Sequence, residues 1–310
     1  MLEVQRFSDV KSLLATVEMM VSDDVGGRLQ KLDRVRLEQC LIELYRESRA
    51  KGIDPKLSDL AVRLKKHGET PMRVIGELLY PWTGDRPYGR ILDGNGNLDP
   101  SAKICAFDLR QLSSHPDLQA VATLQLTDFI TTEVARDKDT RKEIVLDEVW
   151  AQMKVPAAAS FMEDFARTAR KTGTGITFIT QGVEEIVASP IGPAILNNTA
   201  TKFVMLQRGD SEILRQTLKL NNQELNLIQS LAQKKGEYSE GFMIEGDHRQ
   251  VIRVFPTPIE YWLSTSDSQD NRHLESMRSE GLSLVDAIEQ AAKIYPKGVA
   301  FGSVEKTCVA

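Results

Sequence analysis

The sequence has 310 residues, of which 41% are hydrophobic and 27% are charged, a composition typical of folded globular proteins rather than disordered chains. Its 39 Lys and Arg residues face 44 Asp and Glu residues, and the net charge of −5 excludes a generally basic nucleic-acid coat. No uncharged apolar run approaches the ~20 residues of a membrane-spanning helix. The three scattered cysteines, Cys40, Cys105 and Cys308, indicate neither a disulfide framework nor a metal site. The composition therefore predicts a soluble, cytoplasmic α/β protein with reduced thiols.

The N-terminal part, residues 1–80, is predicted to be a helical subdomain. Apolar residues recur with helical spacing over 10–21. A second helix is predicted over 31–50, with Leu32, Val35, Ile42 and Tyr45 facing inward. Residues 28–73 contain 12 Lys and Arg against 7 Asp and Glu, a local excess of 12 − 7 = +5. Because the charges alternate in sign, we interpret this region as a solvated helical surface, with a surface for nucleic acid or an acidic partner as the alternative. The turn-rich stretch 81–101, with its Asp-Gly and Asn-Gly pairs, is predicted to be a connection.

Strands and helices alternate after this connection, and residues 102–220 are predicted to form an α/β core. The predicted strands are 103–109, 143–147, 175–180 and 202–206. Because helices separate them, we expect a mainly parallel sheet that is covered on both faces. Residues 221–310 are predicted to add a C-terminal α+β appendage, with a helix over 222–235 and a hairpin that turns at Gly246-Asp247.

The segment Ile144-Val145-Leu146-Asp147-Glu148 matches the Walker B pattern, an apolar strand that ends in two acids. A buried strand can deliver one carboxylate to the carboxyl end of a sheet, where the carboxylate binds Mg²⁺. The next carboxylate can orient the water that attacks a γ-phosphate. We therefore assign Asp147 to the metal and Glu148 to water activation. Taken alone, the pattern fits equally well a buried strand that ends in solvated acids.

Two further positions are candidates for the same site. A later predicted strand ends at Gln181, whose amide can sense a γ-phosphate by hydrogen bonding or can simply cap the strand. Arg170, with Arg167 and Lys171 nearby, precedes that strand and can reach the phosphates of a neighbouring subunit as an arginine finger. The alternative for Arg170 is an ordinary surface arginine on a helix.

Several blocks, in order along most of the chain, resemble the TraC/VirB-type ATPases of type IV secretion and conjugative transfer. These are EIVLDEVW (143–150), ARTARKTGTGITFITQ (166–181), AILNNTATKFVMLQ (194–207), FPTPIEYWLSTSDSQDN (255–271), LSLVDAIEQAAKIYPKG (282–298), and the lead-in GRILDGNGNLD with ICAFDL within 89–109. The resemblance implies a RecA-like P-loop NTPase core that uses ATP and Mg²⁺. By motif matching it transfers catalytic roles to Glu148, Gln181 and the Arg170 region, and the metal to Asp147.

The resemblance also implies partners and a location. A protein of this type forms a homo-oligomer, expected to be a hexamer-like ring, at the cytoplasmic face of the inner membrane. There it is expected to contact membrane components of the secretion or conjugation system. Its expected role is to power pilus assembly and the transfer of DNA or protein, with single-stranded DNA or a relaxase as cargo.

The sequence departs from this family in one respect, because it lacks the phosphate-binding loop GxxxxGK[ST]. None of its 20 glycines is followed by Lys, so no cofactor-binding residue for the phosphates can be assigned. We expect the chain to be the C-terminal portion of a longer ATPase and to be inactive alone. A catalytically silent interaction subunit or a remnant of the same family is the alternative, and a DNA-binding regulator that uses residues 28–73 is a third possibility.

Overall fold

The computed structural model describes residues 2–22, 29–94, 102–136, 139–148, 156–206 and 210–299. The chain divides into two compact units. The first takes the residues up to Gln181 together with Ala188–Asn198, and the second takes Gly182–Val187 together with the residues from Thr199 onward.

The first unit begins with helices, as the sequence predicts. They are α1 (Leu2–Val21), α2 (Lys31–Ala50), α3 (Leu57–Lys65), α4 (Thr70–Leu78) and the short α5 (Gly89–Leu92), with a 3₁₀ turn at Tyr80–Trp82. A shared apolar core that includes Val17, Leu37, Leu64 and Met72 holds α1 to α4 together. The indole N–H of Trp82 donates a 3.0 Å hydrogen bond to the Met20 carbonyl and so ties the end of this region to α1.

The first unit also contains a parallel strand pair that helices cover on one face. The predicted cover on both faces is wrong for the described residues, since Val145 on the other face is 57% exposed. Its elements are α6 (Pro116–Arg136), β1 (Lys142–Leu146), α7 (Pro156–Thr168), a 3₁₀ helix (Ala169–Thr172) and β2 (Thr174–Phe178). β1 and β2 pair in register from Lys142 opposite Thr174 to Leu146 opposite Phe178. Alternate residues of both strands, such as Ile144 and Leu146, pack against apolar side chains of α6 and α7. The predicted strands at 143–147 and 175–180 are thus confirmed, within a residue or two at each end.

The predicted buried strand at 103–109 is wrong. Residues 102–109 form no strand, and Ile104 is 89% exposed. A strand requires a neighbour to satisfy its backbone groups, and among the described residues no strand pairs with this segment. Instead the segment leads into a 3₁₀ helix (Arg110–Ser114), and the Phe107 ring packs edge-on against Phe129 of α6, with 6.3 Å between the ring centroids.

The second unit is built on an antiparallel sheet. Its first elements are α8 (Val183–Val187), β3 (Thr201–Met205), α10 (Ser211–Leu218), α11 (Asn222–Gln229), β4 (Gln233–Lys234), β5 (Tyr238–Glu245) and β6 (His248–Val254). The intervening helix α9 (Gly192–Asn198) belongs to the first unit. β5 pairs antiparallel with β3, β4 and β6. The predicted strand at 202–206 therefore exists, but it does not extend a mainly parallel sheet. Among the described strands, parallel pairing is confined to β1 and β2.

Three helices follow the hairpin: α12 (Pro258–Ser264), α13 (Ser268–Ser279) and α14 (Leu284–Ile294). The predicted hairpin turn at Gly246-Asp247 is confirmed, and Gly246 has a φ of 58°. The predicted helix over 222–235 stops at Gln229, because the chain then enters β4 to pair with β5. In broad class the prediction is confirmed: the fold is mixed α/β with a parallel sheet and a helical N-terminal region.

Candidate functional site

The carboxyl ends of β1 and β2 lie side by side and bring the predicted site residues together. The backbone N–H of Ile179 donates a 2.9 Å hydrogen bond to the Leu146 carbonyl, so the pairing continues to the last residue of β1. Just beyond it, the side-chain amide of Gln181 donates a 2.9 Å hydrogen bond to Oε1 of Glu148. Two of the predicted catalytic side chains are therefore in direct contact.

The backbone turns sharply at the acidic pair. Glu148 has a φ of 49°, in the left-handed region that non-glycine residues seldom adopt, at a typical cost of about 1 kcal/mol or more. Its N–H donates a 3.0 Å hydrogen bond to Oδ1 of Asp147, which satisfies a backbone donor within the turn. Both carboxylates are exposed to solvent. The turn therefore ends the strand and leaves two acids at the open edge of the sheet.

The donor set at this edge fits Mg²⁺. Asp147 accepts a hydrogen bond from the Glu148 N–H, and its carboxylate is exposed to solvent. Mg²⁺ prefers oxygen ligands and commonly takes only one or two protein carboxylates, with water and substrate phosphates completing its shell. A single exposed carboxylate is consistent with that mode. In the described ranges, no group of three or more His, Cys, Asp and Glu side chains forms a metal cage.

Arg110, which no sequence pattern marks as a candidate, interacts electrostatically with these acids. Nε and Nη2 of Arg110 donate hydrogen bonds of 3.0 and 2.7 Å to the two oxygens of Asp108. The bond from Arg110 lowers the pKa of Asp108 to about 2. The bond to Asp108 raises the pKa of Arg110, and the nearby charges of Glu148 and Asp147 raise it further. The Arg110 guanidinium is therefore paired with Asp108, and the charges of the acidic pair add to its stabilisation.

The basic residues that precede β2 are the candidates for an arginine finger. Arg170 lies in the 3₁₀ helix that leads into β2, and its side chain is outside the described part of the chain. Arg167, one turn earlier, is held on α7 by a 2.6 Å ion pair with Glu163. Lys171 is exposed. Arg167 is therefore already paired on its own helix, and Arg170 stays the predicted finger.

Several basic side chains of residues 28–73 form ion pairs with acidic side chains of the same region. Arg63 contacts Glu43 and Glu47 at 2.7 and 2.9 Å, and Arg36 contacts Glu69 at 2.6 Å. These basic side chains are thus paired with acids of the same surface, in agreement with a solvated helical face.

A parallel strand pair presents Asp147, Glu148 and Gln181 at its carboxyl end, as expected from the Walker B pattern in the sequence. A family model described as the TraG P-loop domain matches residues 57–294, and the chain belongs to this family. The predicted relationship to TraC/VirB-type ATPases is thereby confirmed.

Individual relatives agree with this assignment. The chain is 27% identical to protein TraC of Escherichia coli K12 over 228 residues, which cover 69% of the chain and 26% of TraC. It is 24% identical to VirB4 of Agrobacterium tumefaciens over 209 residues, 66% of the chain and 25% of VirB4. The chain thus spans about a quarter of the length of these curated relatives.

A solved structure supports the fold. The structure of VirB4 of Thermoanaerobacter pseudethanolicus superposes with a TM-score of 0.61 at 20% identity, over 81% of this chain and 70% of that one. Across the described helices, none combines the length and hydropathy needed to cross a bilayer.

Proposed function

We propose that this chain supplies the metal-binding and water-activating part of a motor ATPase in type IV secretion or conjugative transfer. The observation that carries the proposal is the contact between Glu148 and Gln181 beside Asp147, at the carboxyl ends of two parallel strands. Membership of the TraG P-loop family gives this arrangement its chemical context.

Each side chain has a distinct task in this proposal. Asp147 holds the metal through its exposed carboxylate, and the bound Mg²⁺–ATP supplies the phosphoryl group that is transferred to water. Glu148 orients that water and accepts its proton. Gln181 donates hydrogen bonds to anionic oxygens at the site. Arg170 offers its guanidinium to the site of a neighbouring subunit.

Phosphate binding requires residues that this sequence does not contain. A phosphate-binding loop needs closely spaced backbone N–H groups and a Lys, and no glycine of the chain precedes a Lys. We therefore expect no ATP turnover above background from the 310-residue chain alone. Turnover is expected from a version in which a GxxxxGK[ST] segment precedes the chain, hereafter the loop-bearing version.

The proposed role also includes an assembly and a place. An arginine that acts in trans requires a homo-oligomer, and we propose a hexamer-like ring. We place this ring in the cytoplasm, at the inner face of the inner membrane, against the membrane components of the transfer machinery. Single-stranded DNA or a relaxase is the proposed cargo, as the resemblance to the conjugation ATPases implies.

A second candidate function, a catalytically silent interaction subunit, is favoured by the same missing loop. It would keep the family's interaction surfaces and bind no nucleotide. Binding of a fluorescent ATP analogue to the loop-bearing version distinguishes the two candidates. The motor proposal predicts Mg²⁺-dependent binding, whereas the silent-subunit proposal predicts no binding.

The test of the proposal is Asp147→Asn in the loop-bearing version. Loss of the metal-binding charge should reduce Mg²⁺-dependent turnover by roughly 10²-fold or more, since metal ions provide several kcal/mol of transition-state stabilisation. Asp164→Asn on α7, another exposed aspartate of the first unit, is the matched control and should retain full turnover. Equal activity in both variants would remove Asp147 from the site.

A further inference from the structure

The hydrogen bond between Gln181 and Glu148 joins two groups to which the proposed function gives separate tasks. Gln181 Nε2 is the donor and Glu148 Oε1 the acceptor, at 2.9 Å. A bond to an ionised acceptor is stronger than one between neutral groups. The Glu148 carboxylate, proposed to activate water, is therefore hydrogen-bonded to the Gln181 amide, which is proposed to bind anionic oxygens of the ligand.

The rest of Glu148 is restrained by its backbone. Its left-handed φ and the bond from its N–H to Asp147 fix the main chain at this position. Among the described residues, Gln181 donates the one hydrogen bond that the Glu148 carboxylate accepts. Since both side chains are exposed, neither is fixed by burial. The orientation of the carboxylate therefore depends on Gln181.

We propose that Gln181 is a positioning residue that holds Glu148 in a resting orientation and releases it when the amide turns to a phosphate oxygen. The Gln181 amide nitrogen carries two N–H donors, one of which is bonded to Glu148. Turning the amide so that both donors meet phosphate oxygens withdraws the one that Glu148 accepts. The carboxylate oxygen freed in this way becomes available to a water molecule. This inference rests on the proposed function, because the competing acceptor is the terminal phosphate of a nucleoside triphosphate.

The resting bond is tested by NMR on the full 310-residue chain with ¹⁵N-labelled glutamine side chains. Glu148→Gln replaces the charged acceptor by a neutral one, and the Gln181 side-chain amide protons should shift upfield because the bond weakens. Glu143→Gln is the matched control, since Glu143 lies on the same strand and accepts instead from Thr177 at 2.7 Å. The Gln181 signals should stay in place in the control. Unchanged Gln181 signals in Glu148→Gln would overturn the inference and leave the proposed function standing.

The release is tested in the loop-bearing version with Mg²⁺ and either ATPγS or ADP. ATPγS should move the Gln181 signals away from their resting position, whereas ADP, which lacks the terminal phosphate, should leave them unchanged. Nucleotide binding is followed separately by displacement of a fluorescent analogue. Bound ATPγS with unmoved Gln181 signals would overturn the release. Absence of nucleotide binding would instead overturn the proposed function, and the release with it.

Discussion

Glu148 and Gln181 are 33 positions apart in the sequence, yet their side chains share a hydrogen bond of 2.9 Å. The contact follows from the parallel pairing of β1 and β2, in which Leu146 lies opposite Phe178. Extending this register by two residues brings Glu148 opposite Thr180, one residue before Gln181. Parallel strands direct their carboxyl ends to the same edge, where α/β proteins commonly place their ligands. The topology therefore converts two distant sequence positions into one site.

An arginine finger at Arg170 predicts cooperation between subunits of the loop-bearing version. Arg170→Ala and Glu148→Gln proteins should each be nearly inactive, but mixed oligomers should recover part of the ATPase activity. Recovery is expected because some interfaces then combine an intact Glu148 with an intact Arg170, and a finger can contribute ~10³-fold or more in rate. The measurement is turnover against mixing ratio.

Arg167→Ala is the control for that experiment, because its guanidinium is already paired with Glu163 on the same helix. It should keep nearly full activity. An Arg170→Ala protein that is fully active by itself would make Arg170 a surface residue.

Two glycines with similar backbone angles predict different effects on the stability of the second unit. Gly236 and Gly246 have φ values of 64° and 58°, so alanine is strained at both positions. A Cβ on Gly236 would overlap the backbone of Lys297, whereas a Cβ on Gly246 meets nothing within 4 Å. Gly236→Ala should therefore lower the free energy of unfolding by about 1–3 kcal/mol more than Gly246→Ala. Urea denaturation curves compare the two, and equal losses would contradict the close packing at Gly236.

A buried acid in the second unit predicts a large loss of stability on removal. Asp270 has no exposed surface, and it accepts hydrogen bonds from Tyr261 at 2.5 Å and from the Val299 N–H at 2.7 Å. Lys235 lies 3.1 Å from its Oδ2. Partial burial works against the charge of Lys235, but hydrogen bonds to Asp267 and Asp270 outweigh it and raise the pKa of Lys235. Asp270→Ala leaves these donors without their acceptor.

We expect Asp270→Ala to lower the free energy of unfolding by about 3–5 kcal/mol, because the Tyr261 hydroxyl and the Val299 N–H both lose their acceptor in the interior. Glu289→Gln, at an exposed position of α14, should change it by less than ~0.5 kcal/mol. Denaturant unfolding of both variants gives the comparison. A loss below ~1 kcal/mol for Asp270→Ala would show that the network contributes little.

Local patterns were sufficient for some elements. The helix over 31–50 was predicted with the observed bounds, since its length and composition leave little choice. The predicted inward face of α2 is wrong. Leu32 and Val35 repeat with helical spacing but are 58% and 44% exposed, whereas Leu37, Leu41 and Leu44 are buried. Two apolar stripes compete on this helix, and only packing against its neighbours selects one.

Tertiary pairing explains the remaining differences. The alternation of strands and helices predicts parallel pairing, yet β3 pairs antiparallel with β5. β5 belongs to a later hairpin, and no local sequence signal indicates that it pairs with β3. Asp147, Glu148 and Gln181 could be predicted because each follows a recognisable strand. Arg110 could not, because residues 103–109 have the apolar pattern of a strand and its position near the acids depends on long-range folding.

The most direct test of the whole account is Glu148→Gln in the loop-bearing version, with nucleotide binding and turnover measured on the same protein. The substitution removes the proton acceptor and keeps the size of the side chain. We predict that ATP binding stays within about twofold of wild type, while turnover falls by roughly 10²-fold or more, as expected for loss of a general base. Turnover at the wild-type rate would contradict the assignment of Glu148 and, with it, the proposed site.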